Sequence, residues 1–291
     1  MFFIMVVFTG AKFVIAGLAG VYGWITDWHI LCAEPFIYLL CIVAYLYVTK
    51  EPAASVLPYK NLSVINVLLI VFMTITLRPM AEFLSAVSSL FVENTLFEQV
   101  KALYSLPYPV LILLLCVMPA VCEEVTLRGV VLSNYSNVDI KKAALVNGFF
   151  FGLFHFNLSQ FPYAFLLGFF MAYFVRLTGS ILAPMLSHFI FNFISVFTQY
   201  RYFLADPETY GVTTLTGNEL TLAYGYLFIN ALMFLPVFGF LFTIFIQYNT
   251  ANKTHVLPDN SEPHKSPRAI TWSFWACVGL FVLYAALIYA A

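Results

Sequence analysis

The chain alternates long apolar runs with short polar connections. Nine runs approach or exceed the length of a bilayer-spanning helix: 1–25, 31–48, 62–77, 109–132, 143–156, 161–177, 180–197, 222–246 and 270–290. About 17–25 apolar residues cross a hydrocarbon core, so the pattern predicts an all-α fold, a polytopic bundle of 8–9 transmembrane helices. The fifth and sixth runs are short, and the hairpin they form need not reach the far surface. Residues 79–106 mix Glu82, Glu93, Glu98 and Lys101 with Phe83, Val87, Leu90 and Phe91. Apolar residues at that spacing predict an amphipathic helix at the interface. Residues 249–268 are polar, hold three prolines and read as a flexible linker. The whole chain, 1–291, is expected to be one integral membrane domain, with a core at about 107–200 and peripheral helices at 1–78 and 221–290.

Composition narrows the class. The chain is 62% hydrophobic and only 9% charged, with mean hydropathy +0.91. A soluble domain carries about 25% charged residues, so a soluble fold is excluded. The net charge of -1 and the lack of a basic tract leave no surface for nucleic acid. Five cysteines without CxxC spacing suggest neither disulfides nor a metal cage. The first eight residues lack a basic segment and a cleavage site, so a retained helix is expected there. Eight Lys or Arg residues (Lys50, Lys60, Lys141, Lys142, Arg176, Lys253, Lys265 and Arg268) fall on one side of the predicted bundle, against three (Arg78, Lys101, Arg201) on the other. The positive-inside rule makes the first side cytoplasmic, with the N-terminus inside and the C-terminus outside.

Against this background, ionisable residues inside the apolar runs stand out. Glu123, Glu124 and Arg128 interrupt the fourth run, His155 lies in the fifth, and His188 and Asn192 lie in the seventh. An ionisable group costs about 2.5–3.5 kcal/mol at the centre of a spanning helix. At about 1.5 Å rise per residue, the three runs bring these residues to similar depths. Glu124 and Arg128 are i and i+4, acid first, the favourable order for an ion pair, and a purely structural pair is the plainest reading of them. Glu123 points about 100° away and has no partner of that kind in its own helix. His188 and Asn192 share one face. Gly148 and Gly152 permit close helix packing, Phe151 reads as packing, and Asn147 could orient His155.

A lone histidine in an apolar helix is most simply a packing residue. Two histidines, a carboxylate and a carboxamide at one depth suit the hydrolysis of an amide instead. A carboxylate and an imidazole can hold and deprotonate water, while a second imidazole and a carboxamide can donate to the developing oxyanion. No serine or cysteine sits in a nucleophile context.

Glu123-Glu124-x-x-x-Arg128, Phe151-x-x-x-His155 and His188-x-x-x-Asn192, in that order, resemble the three-motif signature of the CPBP family. These are the CAAX-protease and bacteriocin-processing (Abi, Rce1-type) intramembrane proteases. The resemblance implies a CAAX-protease-like endopeptidase acting on a membrane-associated peptide or lipidated protein: a prenylated CAAX sequence, a leader peptide or a bacteriocin precursor. It implies that Glu123 and His155 activate water, that His188 and Asn192 form the oxyanion site, and that Glu124 and Arg128 brace the architecture. The family has been described both as zinc and as metal-free glutamate proteases. Zinc would require His155, His188 and Glu123; the Asn192 pairing favours the reading that requires no cofactor. The expected location is a multi-pass position in a bacterial or archaeal cell membrane, with the active site opening toward the cytoplasm. Two other classes compete: a proton- or ion-coupled transporter, since buried Glu, His and Arg also build relays, and a non-catalytic immunity or binding protein on the same scaffold.

Overall fold

A computed structural model describes residues 10, 27–92, 100, 101, 103–207, 216–252, 270 and 272–289. These residues are helices and turns, with no strand among them. The helices are α1 (Asp27–Thr49), α2 (Ala53–Val56), α3 (Val64–Ser88), α4 (Tyr108–Val131), α5 (Ile140–Phe154), α6 (Phe161–Thr178), α7 (Leu182–Ala205), α8 (Asn218–Ala251) and α9 (Trp272–Tyr289). Among the described residues five, α3, α4, α6, α7 and α8, are long and apolar enough to cross a membrane. Shorter apolar stretches occur in α1 (Pro35–Thr49) and α9 (Phe274–Leu283). Apart from Gly10, the expected first run lies outside the described residues, as do 253–269 of the polar linker and 93–99 of the expected interfacial helix.

One boundary differs from expectation. Residues 79–88 continue α3 through Pro79 instead of starting an interfacial helix. Proline is tolerated inside membrane helices because neighbouring groups satisfy the backbone it frees. Here Arg78 and Glu82 bridge the proline turn as an i,i+4 pair at 2.6 Å.

Local chemistry sets the helix ends. Ser63 caps α3 by accepting from Asn66 N–H, and Asp139 caps α5 by accepting from the amides of Lys141 and Lys142. Gly179 ends α6 at φ 67°, a left-handed conformation that glycine adopts without steric cost. Ile181 N–H then donates to Pro58 O. Arg176 donates to the carbonyls of Tyr135, Ser136 and Val138, tying the end of α6 to the α4–α5 connection. These contacts gather residues 50–63, 132–139 and 179–181 at one end of the bundle, which also carries Lys50, Lys60, Lys141 and Lys142. The opposite end holds the α5–α6 turn, and there Tyr224 OH on α8 donates to Ala86 O on α3. Asn66 and Asn249, both buried, exchange amide hydrogen bonds of 3.0 and 2.9 Å and clasp α3 to α8.

The core is aromatic and dense, with Phe150, Phe151, Phe174 and Phe245 fully buried among the helices. The crossing of α5 and α6 depends on facing glycines. A Cβ on Gly168 would sit 2.7 Å from Phe151 Cβ and 2.9 Å from Gly148 Cα. Overpacking of this kind costs about 1–3 kcal/mol. Gly168→Ala is therefore expected to lower the thermal unfolding midpoint in detergent, and an unchanged midpoint would contradict the close crossing.

Candidate active site

The fourth helix is built irregularly where it meets the site. It contains two π-helical stretches, Leu113–Val117 and Val125–Val131, flanking Met118–Glu124. Pro119 has no N–H to reach back to Leu115 O in the α-helical register. Asn192 Nδ2, on α7, donates to that carbonyl at 3.0 Å. A proline in one helix thus leaves an acceptor that fixes the carboxamide of another. Widened turns of this type often mark functional sites.

Glu124 is fully buried, and its Oε1 accepts two hydrogen bonds, from Arg128 Nη1 at 2.9 Å and from His188 Nδ1 at 2.8 Å. The ion pair within α4 therefore also reaches across to α7, a contact that spacing along one helix could not reveal. Arg128 lies 4.3 Å from the Phe151 ring centroid and donates from Nη2 to Gly168 O at 3.3 Å. The same Phe151 ring meets both imidazoles edge-on, His155 at 4.8 Å and His188 at 5.6 Å between centroids. Phe151 thus packs the guanidinium and both histidines at once, more than the packing role expected of it.

The two imidazoles are held differently. His155 caps the C-terminus of α5, and its Nδ1 lies 2.7 Å from Phe151 O. A carbonyl only accepts, so Nδ1 carries a proton, and in the neutral ring the lone pair is on Nε2. His188 directs Nδ1–H at a carboxylate, so it can donate from Nε2 only when both ring nitrogens carry protons. Asn147 does not supply the Nδ1 contact to His155; its amide donates to Leu127 O at 2.8 Å. The residue after His155, Phe156, takes φ 49°. This is a left-handed conformation that costs a non-glycine residue about 1–2 kcal/mol.

A cavity of about 430 Å³ is lined by Glu123, His155, His188 and Asn192 together. Glu123, half-buried, faces it from α4. Arg78, Glu82 and Tyr163 also line it and were not singled out from the sequence. Tyr163 stacks on Phe191 at 6.3 Å. Arg78 directly follows the apolar run 62–77, where a cation reads as a loop residue at a helix end. At 15 residues α5 is about 22 Å long, short of the roughly 30 Å hydrocarbon core. Its turn with α6 supplies Asn157 and Gln160 to the cavity wall, as expected for irregular backbone within a membrane.

From the centre the cavity extends toward Ser85, Gln160 and Gln199, at the end of the bundle opposite the basic loops. Among the described residues no three His, Cys, Asp or Glu side chains are grouped so as to hold a metal ion.

Residues 105–194 match the family model described as type II CAAX prenyl endopeptidase Rce1-like. This segment is similar to Rce1-like endopeptidases. The matched segment, about a third of the chain, runs from just before α4 into α7 and contains Glu123, Glu124, Arg128, His155, His188 and Asn192. The segment is therefore similar to the CAAX proteases, whose members act on membrane-associated peptides. With five apolar helices among its described residues, the chain is an integral membrane protein. No curated protein and no solved structure matches the chain.

Proposed function

We propose that the chain is an intramembrane endopeptidase that hydrolyses a peptide bond of a membrane-associated peptide or lipidated protein with a water molecule activated by Glu123 and His155. The observation that carries this reading is the convergence of four side chains from α4, α5 and α7 on one cavity. In the proposed step, His155 Nε2 and the Glu123 carboxylate hold a water and take its proton as the oxygen adds to the scissile carbonyl. Asn192, oriented by Leu115 O, donates a remaining N–H to the oxyanion, and His188 donates from Nε2 in its doubly protonated form. Collapse of the tetrahedral intermediate breaks the C–N bond, and the proton taken from water passes to the leaving amine. No step is routed through a metal.

Removing one oxyanion donor typically costs 10²–10³-fold in kcat. Purified chain in proteoliposomes is expected to cleave a lipid-tethered peptide, with and without a chelator. Asn192→Ala is expected to lose roughly 10²-fold or more in kcat with little change in KM. No cleavage by the wild-type chain of any lipid-tethered peptide would overturn the reading, and a fully active Asn192→Ala would remove the oxyanion assignment.

A further inference from the structure

The bundle holds a second cavity, of about 550 Å³, that shares no lining residue with the active site. It lies at the end that carries Lys50, Lys60, Lys141 and Lys142, among the connections that follow α1, α4 and α6. Two guanidiniums line it, Arg128 from α4 and Arg176 from α6. Both are buried, at 1% and 9% exposure, and the Nε of each has no acceptor among the described residues. Arg128 is balanced by Glu124 at 2.9 Å. Arg176 is not. Its Nη1 and Nη2 donate to the carbonyls of Tyr135, Ser136 and Val138, and among the described residues it makes no ion pair. Asp139, on the same connection, is exposed and accepts from the amides that begin α5. A buried charge without a counter-ion is costly, and folded proteins pair such groups.

We infer that this cavity binds a phosphate-bearing anion, with the Arg176 guanidinium as its counter-charge. A planar guanidinium presents its donors in a fork that suits phosphate oxygens. Ser136 and Asn137, both exposed, line the same cavity and add hydrogen-bonding groups. Val56 and Val175 give the wall an apolar part. The cavity is far larger than one small anion, so an organic group joined to the phosphate fits beside it. Its position among the connections of membrane-spanning helices is the level of lipid headgroups, and basic pockets between such helices bind anionic headgroups. Glu51 also lines the cavity; it is exposed and accepts from Tyr45 OH at 3.2 Å. Its carboxylate opposes a bound anion, so removing it strengthens binding.

The phosphate has two sources, a lipid headgroup or a soluble phosphate. Calorimetric titration of the full-length chain in neutral detergent separates them with three probes: inorganic phosphate, a short-chain phosphatidic acid, and the diacylglycerol of the same chain length. Binding of phosphatidic acid alone assigns the cavity to a headgroup, and binding of inorganic phosphate as well assigns it to phosphate from either source. Arg176→Gln is expected to weaken the binding by roughly 10-fold or more, the scale of a lost charge-assisted hydrogen bond. Glu51→Gln is expected to tighten it by up to about fivefold, the scale of one exposed charge pair. An arginine that only ties α6 to its neighbouring connection predicts no such gain. Should Arg176→Gln fail to fold, Asn137→Asp takes its place: it brings a like charge to the wall from an exposed position and is expected to weaken binding. Binding of neither phosphate probe to the wild-type chain would overturn the inference. So would diacylglycerol binding as tightly as phosphatidic acid, or an affinity unchanged in both Glu51→Gln and Asn137→Asp. None of these readouts involves peptide cleavage, so the result is independent of the proteolytic reading.

Discussion

Replacing Glu123 with glutamine is expected to abolish peptide cleavage, by about 10³-fold or more, in a protein that still folds. General acid–base groups contribute about 10²–10⁴-fold, and Glu123 lines the cavity with His155, His188 and Asn192, outside the buried Glu124–Arg128 pair. Glutamine keeps the shape and removes the basic oxygen. The side chain is half-buried beside a cavity, so its loss does not strand a charge in a dry core. A single-turnover assay with unfolding measured in the same detergent separates the two effects. Near-normal turnover would mean that another group activates the water.

Arg128→Ala is expected to have the opposite signature, with stability lost along with activity. Arg128 is 1% exposed and Glu124 is fully buried. Removing one partner of a buried pair typically costs 3–5 kcal/mol, because the remaining charge is left uncompensated. Glu124→Leu combined with Arg128→Leu should recover much of that stability, since an apolar replacement of both partners is often tolerated. The double variant should nevertheless remain impaired, because His188 Nδ1 has lost the carboxylate that holds it at 2.8 Å. A double variant with normal turnover would show that Glu124 has no positioning role. A single Arg128→Ala variant with unchanged unfolding would contradict the buried pair.

Much of this architecture is legible in the residues. Runs 109–132, 143–156 and 161–177 lie close to α4, α5 and α6 because short polar turns bound them. The i,i+4 relation of Glu124 and Arg128 is local and survives folding unchanged. What is not legible depends on contacts between helices distant in sequence. His188 reaches Glu124 across 64 positions, and Asn192 reaches Leu115 O across 77. Spacing within one helix cannot reveal either. Pro79 looked like a boundary because proline usually ends a helix, yet α3 runs past it and so brings Arg78 and Glu82 to the cavity. Phe151 looked like bulk because an aromatic ring in an apolar helix usually is. Its contact with a guanidinium and two imidazoles needed two other helices in place.

The most direct measurement is a double-mutant cycle on kcat with Glu123→Ala, His155→Ala and the two combined. Groups that act on one molecule of water fail together, as residues of a catalytic unit do. The combined variant should therefore be scarcely slower than the worse of the two singles. Losses that multiply, so that the free-energy costs simply add, would mean that the two side chains work at separate places and that the cavity is not a shared reaction centre.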